Sequence, residues 1–542
     1  MLAGMRPGRG HPGSCGRAAR AQAGAVPRGS GGCTGGETPS RSASMLAGMT
    51  RPCRQRAPGR VPAESLPAAA SPAPIRAAAR EGSMTILIQG TTIVTADDAD
   101  AVLHDAAIAI EDGRIAALGP TADLRARFPQ AEAIDGRDRA VLPGFANLHT
   151  HLGMTLARGV FEDLSPPHRP PFCGGLSPLP LPALSAEEHV VMCQLGALEA
   201  IRSGTTALLE DGADLARHAP AMAATGLRML LTERAWDRTG ADIGDPSPFA
   251  ASEALAERSL GRIAALHAAW DGKAEGRIRV GVSAWAPDMC SPGLLRRLAD
   301  LRDRLDAPAT IHLNQIWGEV AAVQAHRGML PTEYLAESGF LHHRLICAHC
   351  RCMAAVEEKI LGRAGAQVSF NPAIAARRGL SPRISVLQAA GCRIGIGTDN
   401  MAEDMVEAMR TGLFMERIRR EDGRDPAPEE ALRWATRNGY AAMGMPDGGW
   451  LAPGNKADLI LVRTDRAHLV PRLRIVSAFV HQGQAGDVDG VMVDGRWVMR
   501  DGRVLTMDEP AIIGAADRIA RAAWSRLFAE RPDLPRPAGF AP

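Results

Sequence analysis

The stretch VLPGFANLHTH, residues 141–151, runs from an apolar segment into two histidines two positions apart. In an extended strand alternate side chains share a face, so His149 and His151 can both reach one ion. A strand that ends in such residues needs a scaffold to bury the rest of it. Downstream, apolar strand-like runs alternate with helical patterns, as the units of a parallel barrel do. Eight such runs are expected, ending at 149–151, 206–210, 229–233, 280–285, 310–314, 345–349, 367–371 and 393–399. Their near-continuous hydrophobicity fits strands buried on both faces. The polar residues gather at the C-terminal ends, where barrels of this kind carry their sites.

The expected fold class is therefore α/β, a (β/α)8 TIM barrel over residues 144–447. β-rich segments flank it at 84–143 and 448–506, each with strand and turn signals, and together they predict a small β-sandwich built from both ends of the chain. Residues 507–542 read as a C-terminal helix and tail. The first 83 residues are rich in Gly, Pro, Ala, Ser and Arg without hydrophobic periodicity, which predicts a disordered leader. MLAGM occurs there twice, and Met84 opens the first patterned segment. Met84 is accordingly expected to be the natural start.

The formal charge of the 542 residues is +2, but residues 1–83 hold twelve Arg against Glu37, Glu64 and Glu81. The rest of the chain thus carries a net negative charge, which argues against nucleic acid and for a small-molecule substrate. No uncharged apolar run approaches the roughly 20 residues of a membrane span. Ten Cys are scattered rather than framed as disulfides, so a cytoplasmic location is expected. Cys347, Cys350 and Cys352 surround His349 but lack the second pair that a structural zinc site needs.

Other candidate residues end other runs. His312 closes ATIHLNQ, His349 lies in LICAHC, and Asp399 follows RIGIGT. Taken singly, a histidine on an apolar strand is as readily a hydrogen-bonded core residue as a ligand. An acid at a barrel mouth needs a partner, because an unpaired buried carboxylate is costly.

With VLPGFANLHTH, the motifs EAIRSGTT (199–206), AHC (348–350), GTDN (397–400) and LAPGNKADLIL (451–461) resemble the amidohydrolase superfamily. Within it they are similar to the branch of cytosine, guanine, adenosine-type and triazine deaminases and chlorohydrolases, from about Met84 to Val504. The resemblance implies one divalent metal per chain, Zn2+ or alternatively Fe2+, bound by His149, His151, His312 and Asp399. It implies that His349 contacts the attacking water and the developing oxygen, and that Asp399 is the general base. A homodimer is expected, as is common among such relatives.

Three departures from the branch bear on substrate. Where its deaminases carry a proton-shuttling Glu three residues after the strand-five histidine, this chain has Gln315, which cannot exchange a proton near neutrality. Glu319 is the nearest carboxylate in sequence, either a substitute acid or a solvated residue in the first turn of a helix. Trp285 stands where the adenosine-type enzymes have His, and is either a stacking face for substrate or a core residue. Arg377 and Arg378 follow the seventh strand as candidate anion contacts. A Pro-rich segment, 165–176, replaces the acidic and aromatic lid of those enzymes, which disfavours a nucleoside. The expected reaction is hydrolysis at a heterocyclic or amidine-like carbon with loss of ammonia, an amine or another leaving group. Cleavage of a cyclic amide, or an inactive scaffold, are the alternatives.

Overall fold

The computed structural model describes residues 85–162 and 179–541, so the expectations for the 1–83 leader and the Pro-rich segment 165–176 fall outside it. The chain begins there with five strands, β1 (Ile86–Val94), β2 (Val102–Glu111), β3 (Arg114–Pro120), β4 (Glu132–Asp135) and β5 (Arg139–Pro143). Eight more follow: β6 (Phe145–Thr150), β7 (Thr205–Gly212), β8 (Arg228–Ala235), β9 (Ile278–Ala284), β10 (Ala309–Leu313), β11 (Leu345–His349), β12 (Gln367–Phe370) and β13 (Arg393–Ile396). The last four are β14 (Leu459–Arg463), β15 (Val488–Val493), β16 (Arg496–Arg500) and β17 (Arg503–Val504).

Strands β6 to β13 pair in sequence order, all parallel, with helices in the connections. These are the eight expected runs. Their residues are almost all buried, as strands covered on both faces must be. The sheet closes at its C-terminal rim, where Asp399 N–H donates to the His149 carbonyl at 2.9 Å and His151 N–H donates to the Asp399 carbonyl at 3.0 Å. Glycine makes the closure possible: a Cβ at Gly395 would lie 2.6 Å from the Leu148 side chain, and one at Gly397 would lie 2.5 Å from Asn371 Oδ1. Ser185, Ser291 and Asp404 cap the helices Ala186–Arg202, Pro292–Leu305 and Met405–Arg420 by accepting from backbone N–H groups of the first turn.

The two β-rich flanks join in one mixed nine-stranded sheet, ordered β17-β16-β15-β14-β5-β1-β2-β3 with β4 beside β1. The sheet folds back on itself. The turns Asp112-Gly113 and Asp494-Gly495 lie three strands apart along the sheet, yet a Cβ at Gly113 would sit 3.0 Å from the Asp494 carbonyl oxygen. Ile88, Ile108, Ile110, Leu459 and Met492 share the enclosed core. All four residues of those turns have positive φ, the Asp-Gly signature of tight hairpins. The C-terminal helix Glu509–Glu530 packs on Ala186–Arg202, and its Trp524 indole N–H donates to the Leu156 carbonyl at 2.8 Å. No helix of the described residues is long and apolar enough to cross a membrane.

A buried ion pair joins sheet to barrel. Arg228, 1% exposed at the start of β8, donates to both oxygens of Asp458 at 2.9 and 3.1 Å, and to Asp494 at 2.6 Å. The Tyr440 hydroxyl donates to Asp458 at 2.8 Å and bonds the Thr206 hydroxyl at 2.8 Å. Removing one member strands a buried charge, so Asp458→Ala should destabilise the protein by about 3–5 kcal/mol. Denaturant unfolding checks this, and a change within experimental error would show that the pair is not what joins the two parts.

Candidate active site

At the C-terminal rim of the barrel β6 delivers His149, which is fully buried, and the residue after the strand turn delivers His151. β10 carries His312, β11 carries His349, and the loop after β13 brings Asp399 beside them. The imidazole centroids of His151, His312 and His349 lie 4.6, 4.8 and 5.3 Å from that of His149. Asp399 places one oxygen 3.7 Å from His151 Nε2 and the other 3.6 Å from His349 Nδ1. His349 and Asp399 have φ of 80° and 75°, a left-handed backbone that costs a non-glycine residue about 1–3 kcal/mol. At both places the chain leaves its strand abruptly.

Hydrogen bonds to the ring nitrogens assign the tautomers. His151 Nδ1 donates to the Asp211 carbonyl at 2.7 Å, and His312 Nδ1 donates to the Trp285 carbonyl at 2.8 Å. A carbonyl only accepts, so each ring carries its proton on Nδ1 and a lone pair on Nε2. Those two Nε2 atoms face each other at 3.2 Å. Neither ring nitrogen of His149 has a hydrogen-bond partner. Converging lone pairs that no protein donor meets fit a shared cation, and His149, His151 and His312 offer ligand atoms within 4.8 Å of one another, as do His149, His349 and Asp399. His349 differs: its Nδ1 accepts from the Asn371 amide at 3.2 Å, so its proton lies on Nε2, which is buried without a partner. The Ser369 hydroxyl, 2.8 Å from Asn371 Oδ1, orients that amide.

Burial keeps the imidazoles of the cluster unprotonated. It holds His149 and His349 well below the ordinary imidazole value, lowers His151, and lowers His312 to about 3. Glu210, at the end of β7, is pushed up to about 8 by burial, although Thr150 Oγ1 donates to it at 2.6 Å. Burial would raise Asp211 as well, but the Arg234 guanidinium at 2.7 Å and the Ser283 hydroxyl at 2.6 Å hold it lower.

A cavity of ≈ 540 Å3 opens onto the cluster, lined among others by His151, His312, Asp399, Gln315, Trp285 and Arg378. Trp285 is thus a cavity residue, with the Arg234 guanidinium 5.5 Å from its ring centroid. Gln315 reaches the cavity and Glu319 does not. Glu319 is fully buried, its two oxygens accepting from the N–H groups of Asn314 at 2.7 Å and Gln315 at 2.8 Å. It is neither a substitute acid facing the cavity nor a solvated helix residue; it fixes the backbone that presents Gln315. Of the two candidate arginines, Arg377 turns toward Glu407 at 3.5 Å and Arg378 lines the cavity. Cys347, Cys350 and Cys352 are all buried.

Sequence reasoning overlooked Glu210, Asp211, Arg234 and Asn371. Their signal was present, since each is a polar residue at the C-terminal end of a barrel strand, but the same holds for Thr232 and Ser283, which serve as supports.

Residues 140–498 match the amidohydrolase family, and residues 106–131 match an imidazolonepropionase-like composite domain of bacteria. The chain is 33% identical over 444 residues to a 5-methylthioadenosine/S-adenosylhomocysteine deaminase of Pelotomaculum thermopropionicum, covering 80% of this chain and 98% of that one. It is 32% identical over 448 residues to a 5'-deoxyadenosine deaminase of Methanothermobacter thermautotrophicus, covering 80% and 98%. An adenosine deaminase from Xanthomonas campestris, crystallised with bound zinc, superposes with a TM-score of 0.72 at 26% identity, covering 82% of this chain and 99% of the other.

The assigned tautomers make a spectroscopic prediction for metal-free protein. His312 should stay neutral until about pH 3, with its proton on Nδ1, so its ring 15N resonances should not move between pH 8 and pH 5. A titration midpoint near 6.5 would refute the burial argument.

Proposed function

The chain belongs to the amidohydrolase family, and on that premise we propose that it is a metal-dependent aminohydrolase in which water attacks an electron-poor carbon of an amino-substituted heterocycle and ammonia or an amine leaves. The observation that carries the proposal is the pair of Nε2 lone pairs of His151 and His312 facing each other at 3.2 Å, beside the unpartnered ring of His149 and the Asp399 carboxylate. In this reading His149, His151, His312 and Asp399 hold one divalent ion per chain, Zn2+ with Fe2+ as the alternative. The bound zinc of the Xanthomonas relative supports Zn2+. When bound, such an ion lowers the pKa of water from 15.7 toward about 7 and so supplies hydroxide near neutrality.

The remaining steps fall to side chains. Asp399 takes the proton of the attacking water as general base. His349 presents its Nε2–H toward the oxygen that develops negative charge. Gln315 cannot carry a proton, so it positions the heterocycle by donating from its amide and accepting on its oxygen, while Glu319 holds its backbone still. Trp285 gives the ring a stacking face. Arg378 is the contact for any anionic substituent.

The named relatives are deaminases of adenosine-type compounds, which supports an aminopurine-like heterocycle over a cyclic amide. The compounds in those names are nucleosides, which supports a ribose-bearing substrate against the expectation drawn from the Pro-rich segment 165–176. We further propose a cytoplasmic homodimer; light scattering on purified protein tests the dimer.

Ammonia release across a panel of aminopurines, aminopyrimidines and aminotriazines tests the reaction, and activity confined to lactams would overturn it. Asp399→Asn should keep the fold and lower kcat by about 100- to 10,000-fold. Undiminished turnover in that variant would remove Asp399 as the base. Gln315→Glu should raise kcat on a simple aminopyrimidine by restoring an ionisable group beside the ring; a fall in rate with unchanged KM would show that the amide itself is required.

A further inference from the structure

A second set of donor atoms borders the same cavity. The helix Ala186–Arg202 carries His189 and Cys193, which a spacing of four residues places on one face. His218 reaches them from the turn after β7, just past the short helix Leu215–Arg217. His189 Nδ1 lies 2.9 Å from His218 Nε2 and 3.5 Å from Cys193 Sγ, and ligand atoms of all three residues lie within 4.8 Å of one another. The two imidazoles stack with centroids 4.3 Å apart.

One ring nitrogen has a single in-plane lone pair or a single N–H, so His189 Nδ1 can serve only one hydrogen-bond partner well. Two converge on it. Around a tetrahedral ion with ordinary Zn–N and Zn–S bonds, neighbouring donors stand about 3.3 Å (N to N) and about 3.6 Å (N to S) apart. The 3.5 Å N-to-S separation is close to the second, and the 2.9 Å N-to-N separation is a hydrogen-bond distance that would lengthen a little to admit an ion. Burial lowers His189 and takes His218 down to about 4, so both rings keep a lone pair at neutral pH. Cys193 is 1% exposed and burial pushes its thiol well above the ordinary value, which excludes a free thiolate nucleophile; a cation would displace the proton.

The surroundings leave room on one side. His189 and His218 line the cavity together with Gly153, Ala213 and Leu215. A Cβ at Gly153 would stand 2.6 Å from His189 Nε2, so the glycine two residues after His151 is what admits this ring. We propose that His189, Cys193 and His218 form a second metal site, a three-ligand site of two imidazoles and one thiolate for a borderline divalent cation such as Zn2+. Its fourth position opens to the cavity, where it takes water or a lone-pair atom of the substrate. The site is separate from the four residues assigned to the catalytic ion and does not depend on the reaction proposed for them.

Cobalt distinguishes the two sites, because the catalytic set contains no sulfur. Metal-free wild-type protein titrated with Co2+ should develop a near-ultraviolet thiolate-to-cobalt charge-transfer band, and zinc analysis should find about two ions per chain. Cys193→Ser and His218→Gln should lose the band and retain about one ion, while Asp399→Asn should keep the band. A wild-type chain that binds cobalt without the band overturns the proposal, as does a band that survives in Cys193→Ser. The wild-type spectrum needs no variant, so a poorly folded mutant does not leave the matter open. Failure of the aminohydrolase reading would appear instead as no ammonia from any heterocycle, with the band unaffected.

Discussion

Two imidazole lone pairs 3.2 Å apart in a buried pocket repel each other unless something positive lies between them. Much of the rim geometry follows from keeping them there. Each ring is oriented by a main-chain carbonyl, Asp211 for His151 and Trp285 for His312, and barrel closure through the Asp399 peptide brings a carboxylate to the same point. A positively charged imidazole would abolish the arrangement. Burial prevents it by holding all four rings neutral. Left-handed backbone at His349 and Asp399 and the close approach at Gly397 are strains that only a well-packed barrel can hold.

Eight strands were legible in the sequence because strands buried on both faces leave long apolar runs, and such runs survive reading without tertiary context. The residues offered for the metal were legible only as a set: one histidine on an apolar run is as readily a core residue, but His149, His151, His312 and Asp399 all end such runs within the motifs that carry the resemblance. Less local features were not. That the two flanks assemble into one β unit was legible, but the strand order was not: the pairing of β5 with β14 joins segments on opposite sides of the barrel, and no local pattern specifies it. Arg377 and Arg378 could not be told apart, since one residue of helical rotation decides which faces the cavity. Glu319 carried a helix-start signal, and its real partners, the N–H groups of Asn314 and Gln315, exist only once the loop has turned back on the helix.

The Arg228–Asp458 pair shows how the second part of the molecule supports the first. Asp458 lies just before β14 and Arg228 at the start of β8, the end of the barrel remote from the cavity. A charged pair this deeply buried gives orientation rather than net stability, because its desolvation offsets most of its attraction. Its bidentate geometry admits one registration of sheet on barrel. The chemistry at one end and the docking at the other are thus separable, as stability at the bottom and catalysis at the top are in barrels generally.

Trp285 holds two offices through two different groups. Its carbonyl fixes the tautomer of His312, and its indole faces the cavity. Every amino acid has the same carbonyl, so exchanging the indole for another side chain would leave the histidine's proton where it is. Substitution at this position can therefore reshape the cavity wall without turning the imidazole that faces His151, so one residue keeps the wall and the cluster mechanically independent.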